Sequence, residues 1–229
     1  MKKRIFILMI IGVLLLTGTF SYNTVSASDN NNIRAKISIS AKFIDINVDG
    51  EYIIKENPSI PIPRGAYTIS VAENNNVRIK GQNVDSVIGN TLTLIRCKYE
   101  GNGNNHLTIN GTVHGRINYI GDFVFTIKSG NLQVVNHIPL EQYLYGVVAY
   151  EMSNSYPLEA LKAQAVTARG YAVRARTSSG DYDIGDTATD QVYKGTKANF
   201  HPQAYIHPSV YTIFGAYSYA YTRSSIYSF

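Results

Sequence analysis

Two glutamates bracket the most chemically suggestive stretch of this sequence. Glu151 and Glu159 stand on either side of Met152-Ser-Asn-Ser-Tyr-Pro157-Leu158, and each is preceded or followed by a run with helical spacing. If the run Pro139 to Tyr150 is a helix, Glu151 lies just beyond its last turn, where the helix carries partial negative charge. An ionised carboxylate is disfavoured there, and Tyr150, Met152 and Tyr156 would add desolvation. A glutamate held in its protonated form near neutral pH suits general acid catalysis. From position alone, a solvated loop glutamate is the alternative. Glu159 falls in the first turn of the next helix, where negative charge is favoured, three residues before Lys162. It reads as helix stabilisation. Lys162 and Arg169 are two helical turns apart and share a face, with Gln164 off that line. Such a pair can bind an anionic group such as a carboxylate, or can form a solvated stripe on an apolar helix.

Other chemistries find little support. His106, His114, His137, His201 and His207 are scattered, with no HExxH or HxH pattern. A single cysteine, Cys97, excludes an intrachain disulfide framework and a multi-cysteine metal site, and reads as a small buried hydrophobe on a strand. There is no G-x-S-x-G elbow and no phosphate-cradling G-x-x-x-x-G-K-[ST] loop. No metal and no cofactor is expected.

The elements that must carry these residues change character along the chain. From about Ile33 to Val135 the apolar period is two: Ile37, Ile39 and Ala41 alternate with Ser38, Ser40 and Lys42, and Tyr67, Ile69 and Val71 alternate with Thr68 and Ser70. Asp49-Gly50, Asn74-Asn75-Asn76, Asn110-Gly111 and Ser129-Gly130-Asn131 punctuate the pattern as turns. An antiparallel β assembly follows, with the Pro58 to Pro63 stretch as an extended connector or edge, because proline cannot donate to a ladder. At Pro139 the period becomes helical. Leu140, Leu144, Val147 and Val148 share one face, and Leu158, Leu161, Ala165, Ala168 and Ala172 share another on a second, alanine-rich helix that reads as buried. The chain is therefore expected to be α+β, a β-rich N-terminal region packed on a core with two consecutive helices at about 139–150 and 157–176.

The 229 residues are 45% hydrophobic and 16% charged, which excludes a disordered chain. The net charge of +5 owes three charges to Lys2, Lys3 and Arg4. Without residues 1–27, which contain no acid, it falls to +2, and a nucleic-acid partner loses its electrostatic basis. Those residues have the layout of a secretory signal: a basic start, twelve apolar positions from Ile5 to Leu16 and a small-residue end at Val25-Ser26-Ala27. The apolar run is short for a membrane span, so the segment is read as a cleaved signal peptide, with an uncleaved anchor as the alternative and the only expected tie to a membrane. Either way the protein is expected outside the cytoplasmic membrane. No acidic residue follows Asp190, and residues 205–229 are dense in Tyr and Ser.

The run His137-Ile-Pro-Leu-Glu-Gln-Tyr-Leu-Tyr-Gly-Val-Val-Ala-Tyr-Glu-Met152 closely resembles the signature of the stage II sporulation protein D (SpoIID/LytB) family. Pro157-Leu-Glu-Ala-Leu-Lys-Ala-Gln-Ala-Val-Thr-Ala-Arg169 continues it, and Asp190-Gln-Val-Tyr-Lys-Gly195 looks like the family's next motif. The stretch from Gly111 to Val135 looks like the strands that precede its core. The resemblance divides the chain into a signal peptide (1–27), a β-rich region (28–106), a SpoIID-like core (107–204) and a divergent or truncated tail (205–229). It implies an exported protein of sporulation or wall remodelling that acts on peptidoglycan glycan strands, as a lytic transglycosylase or as a non-catalytic wall-binding module that enhances a wall amidase. On the matching positions the family's catalytic acid falls on Glu151. Arg169, Lys162, Gln164, Gln191 and Tyr193 match positions that line the substrate groove. Ser153 replaces the family's usual Pro, Gly170 its usual Thr, and the cysteines of the zinc site found in some members are absent.

Overall fold

The computed structural model describes residues 31–97, 105–153, 155–177 and 179–195. The expected signal segment (1–27) and the divergent tail (205–229) lie outside the described residues.

The alternating region forms two sheets that share one core. In the first, the strand order is β13 (Ile184–Gly185), β1 (Asn32–Ala41), β12 (Asn131–Pro139), β11 (Asp122–Lys128), β8 (Thr91–Arg96), β3 (Tyr52–Ile54) and β4 (Asn57–Ile62). In the second it is β10 (Gly115–Tyr119), β9 (His106–Thr112), β2 (Phe43–Asp49), β5 (Gly65–Val71), β6 (Val77–Gly81) and β7 (Val84–Gly89). Pairing is antiparallel except between β1 and β13. The period of two explains why the sheets face each other. In β2, Ile44, Ile46 and Val48 are buried while Phe43, Asp45 and Asn47 are exposed. Ile69, Ile79, Leu107 and Ile109 complete that inner face, opposite Ile37, Leu92, Leu94, Phe123, Phe125 and Val134 of the first sheet. The proline-rich stretch is β4, an edge strand, as its missing donors require. Gly50 has φ +132° in the turn after β2, and a Cβ there would lie 2.4 Å from Asn105.

Strands from both sides of residue 106 are interleaved in the same sheets: β9 pairs with β2, and β12 pairs with β1 in the register Ile33–Ile138 and Ile37–Val134. The β-rich region and the strands leading to the helices are thus one structural unit. Cys97 differs from expectation, because it lies just past the end of β8 and is exposed.

Strand β12 runs directly into α1 (Leu140–Glu151), with Pro139 at the N-cap, one position earlier than the sequence suggests. The second helix, α2 (Leu158–Ala175), is capped by Pro157 in the same way. Leu161, Ala165, Ala168 and Ala172 form its buried stripe, and the small side chains allow close approach to α1. Leu158 does not join that face; it is 38% exposed, and Val166, Tyr171 and Val173 also face outward. The helix is therefore buried on one side only, and its many alanines reflect contact with α1 rather than enclosure.

Candidate functional site

Glu151 is the last residue of α1, not a residue beyond it, and its side chain is exposed. Tyr156, which the sequence placed against it, is itself 55% exposed. What holds Glu151 is a different part of the chain: its Oε1 accepts a hydrogen bond from the backbone N–H of Val192 at 3.0 Å. Among the described residues Oε2 makes no hydrogen bond, so one carboxylate oxygen is anchored and the other is presented to solvent.

Val192 belongs to a short strap, Asp190 to Gly195, in which each of the first five residues has a specific attachment. The Asp190 carboxylate accepts from Tyr171 Oη (3.1 Å) and from the Gly185 N–H (2.8 Å). Gln191 is buried; its Oε1 accepts from Tyr143 Oη (3.3 Å) and its Nε2 donates to the Ala168 carbonyl (3.3 Å). Tyr193 is fully buried, donates from Oη to Asn136 Oδ1 at 2.8 Å, and packs between Tyr119 and Tyr143 with ring centroids 5.6 and 4.8 Å away. Burial pushes the Tyr193 and Tyr143 hydroxyls well above the usual phenol range, so both stay neutral donors. The Lys194 N–H donates to the Gly146 carbonyl at 3.2 Å. Gly146 makes this crossing possible, since a Cβ there would lie 2.5 Å from both the Gly195 carbonyl oxygen and the Tyr193 ring. Asn136 completes the anchor by donating from Nδ2 to the carbonyls of Ile120 (2.9 Å) and Asp122 (3.1 Å).

Several residues expected to line a groove are engaged inside the fold. Tyr193 and Gln191 are internal and dock the strap on the helix pair and the sheet. Arg169 is half-buried and engaged. Its Nε and Nη2 donate to Glu141 Oε1 and Oε2 at 2.7 and 2.6 Å, a two-pronged pair that ties α2 to the first turn of α1. Lys162 pairs with Glu159 at 2.7 Å along α2, the stabilising contact their spacing implies. Gln164 is half-buried on the same helix. Of the expected site residues, Glu151 is the one whose functional atom faces open solvent while the strap fixes it.

Lys194, not singled out from the sequence, lies beside it. Its Nζ stands 4.9 Å from the centroid of the Tyr150 ring, and Tyr150 immediately precedes Glu151. The signal available was position: Lys194 sits inside the Asp190–Gly195 motif, between its Tyr and its Gly. Among the described residues no three His, Cys, Asp or Glu side chains converge in a way that could hold a metal, and no helix is long and apolar enough to cross a membrane.

Comparison with known proteins matches residues 128–213 to the SpoIID family, described as stage II sporulation protein. The match starts at the end of β11 and extends past the last described residue. An uncharacterised protein of Brachyspira hyodysenteriae is 40% identical over 91 residues, covering 38% of this chain and 23% of that protein. Stage II sporulation protein D of Bacillus subtilis is 44% identical over 77 residues, or 31% of this chain and 22% of that protein. The protein of the same name from Bacillus amyloliquefaciens is 46% identical over 67 residues, 26% and 19% respectively. The chain thus spans about a fifth of the length of the curated relatives it matches. No solved structure matches. Strand β12, both helices and the strap thus lie inside the region of this chain that matches the SpoIID family.

Proposed function

We propose that this protein is an exported, sporulation-associated protein that acts on peptidoglycan and cleaves the glycan strand by lytic transglycosylation, with Glu151 as the acid and then the base. The observation that supports this reading most directly is the half-anchored carboxylate: Oε1 on the Val192 N–H, Oε2 toward solvent. Cleavage of this type needs no water nucleophile. The protonated carboxylic acid gives its proton to the glycosidic oxygen as the bond from the anomeric carbon to that oxygen breaks and positive charge grows on the sugar ring. The sugar's own 6-oxygen then bonds to the anomeric carbon, and its hydroxyl proton passes to the carboxylate. The products are a chain with a free hydroxyl end and a 1,6-anhydro end, and Glu151 returns to its starting state. The Val192 N–H stabilises the negative charge Glu151 carries between the two proton transfers. A second carboxylate, which glycoside hydrolases use, is not required.

One observation favours the other reading, a wall-binding module that enhances an amidase without chemistry of its own. Arg169, the cation expected to hold an anionic substrate group, is occupied by Glu141. Digestion of purified sacculi separates the two. The lytic reading expects anhydro-ended fragments by mass spectrometry from the wild-type protein and none from Glu151→Gln with an unchanged circular dichroism spectrum. Equal release by the variant would remove Glu151 from the mechanism. Sedimentation with sacculi without new ends, in wild type and variant alike, would leave the binding module.

A further inference from the structure

We propose that Lys194 and Tyr150 form a subsite next to Glu151 that takes a carboxylate-bearing sugar, with the ammonium on the acid and the ring against the sugar face. This rests on the glycan reading above and names the group on the strand that the site grips. Three observations carry it. First, the Lys194 ammonium is held in place over the Tyr150 ring, yet it makes no ion pair among the described residues. Second, residues 191–229 contain no Asp or Glu. Third, the strap ties the Lys194 backbone close along the chain to the contact with the candidate acid. The Val192 N–H is bonded to Glu151 and the Lys194 N–H to Gly146. Two residues of extended chain separate these anchors by at most about 7 Å, roughly the scale of one sugar residue. A strand lying along this edge of α1 with a glycosidic oxygen at Glu151 therefore brings the neighbouring sugar over Tyr150 and Lys194.

The chemistry selects the ligand. A half-buried ammonium already desolvated on one side by an aromatic ring gains most from a full negative charge. An aromatic ring favours the C–H face of a pyranose, by the apolar contact that aromatic side chains supply. A hexosamine whose 3-oxygen carries a lactyl carboxylate offers both; a plain N-acetylhexosamine offers only the second. Arg169, by contrast, already donates from Nε and Nη2 to Glu141.

The test is binding rather than turnover, so that it separates from the fate of the lytic mechanism. The full chain carrying Glu151→Gln is titrated by calorimetry with three tetrasaccharides: one of N-acetylglucosamine alone, one of alternating N-acetylglucosamine and N-acetylmuramic acid without peptide, and the same with its carboxylates amidated. The subsite predicts that the free-acid ligand binds about tenfold more tightly than either neutral one at low salt. That advantage disappears with added Lys194→Met, returns with Lys194→Arg and shrinks at high salt. Tyr150→Ala weakens all three ligands. An advantage that survives Lys194→Met, or no difference between free-acid and amidated ligands, would overturn the subsite and leave the lytic reading standing. Absence of binding by any of the three would overturn both. The comparison of ligands on an unaltered Lys194 keeps the test decisive even if Lys194→Met folds poorly.

Discussion

Arg169 and Glu141 are joined by two hydrogen bonds of 2.7 and 2.6 Å that fasten the middle of α2 to the first turn of α1. The pair is partly shielded, with 16% of the Arg169 side chain and 38% of Glu141 exposed. Arg169→Met is expected to lower stability by about 1–2 kcal/mol in urea denaturation. Glu141→Gln should do nearly as much, and the double variant should lose less than the sum. Arg169→Lys keeps the charge but not the two-pronged geometry and should fall between. If Arg169 acts on substrate instead, these variants will lose glycan binding with no change in denaturation midpoint.

Gln191 is the hydrogen-bonded bridge between the strap and both helices. Gln191→Leu leaves the buried Tyr143 hydroxyl without its acceptor and takes the side-chain donor from the Ala168 carbonyl. The expected cost is about 1–3 kcal/mol. Because the strap also holds Glu151 through Val192, hydrogen exchange at the Val192 amide should rise in this variant even where the global fold survives.

Two helix glycines should respond in opposite ways to the same change. Gly146→Ala drives a methyl into the Gly195 carbonyl and the Tyr193 ring, and should cost about 2 kcal/mol or more by displacing the strap. Gly170 on α2 is exposed, and a methyl added there would meet nothing within 4 Å, so Gly170→Ala should stabilise by about 0.5–1 kcal/mol. Thermal unfolding of the two variants side by side checks the contrast.

Asp183 and Asp122 contribute to the pH dependence of stability in opposite directions. Burial alone would raise the Asp183 carboxyl, but hydrogen bonds from the Arg34 side chain, the Arg34 N–H and the Thr177 N–H outweigh it and hold it below the usual range. Its contribution is present above the unfolded-state value of about 3.9 and is lost as the pH falls through the lower folded value. Asp122 is the reverse. Burial pushes it up, against the Arg96 N–H and nearby cations, so its charged form costs stability at neutral pH and protonation relieves that cost. Asp183→Asn should therefore lose stability at pH 7 and show a shallower acid decline than wild type. Asp122→Asn should show a steeper one, because the compensating gain is gone. Denaturation midpoints between pH 3 and 7 measure both.

The sequence by itself determined the elements and carried the resemblance to a family. A period of two set by alternating Ile and Val residues, turns at Asp49-Gly50 and Asn74-Asn75-Asn76, and two prolines each capping a helix are local signals, because side-chain alternation and φ restriction act within a few residues. Contiguous motifs were equally legible, so Glu151 could be singled out without coordinates. What each motif residue does was not. Arg169 looks like a free cation until Glu141, 28 positions earlier, meets it; Tyr193 and Gln191 look like groove residues until the strap turns them inward; and Lys194 gains its setting only when the chain after Asp190 lies back across Gly146. Whether a charge is available to a ligand depends on which groups of distant sequence stand within hydrogen-bond reach. That is a property of packing, which only the tertiary structure decides.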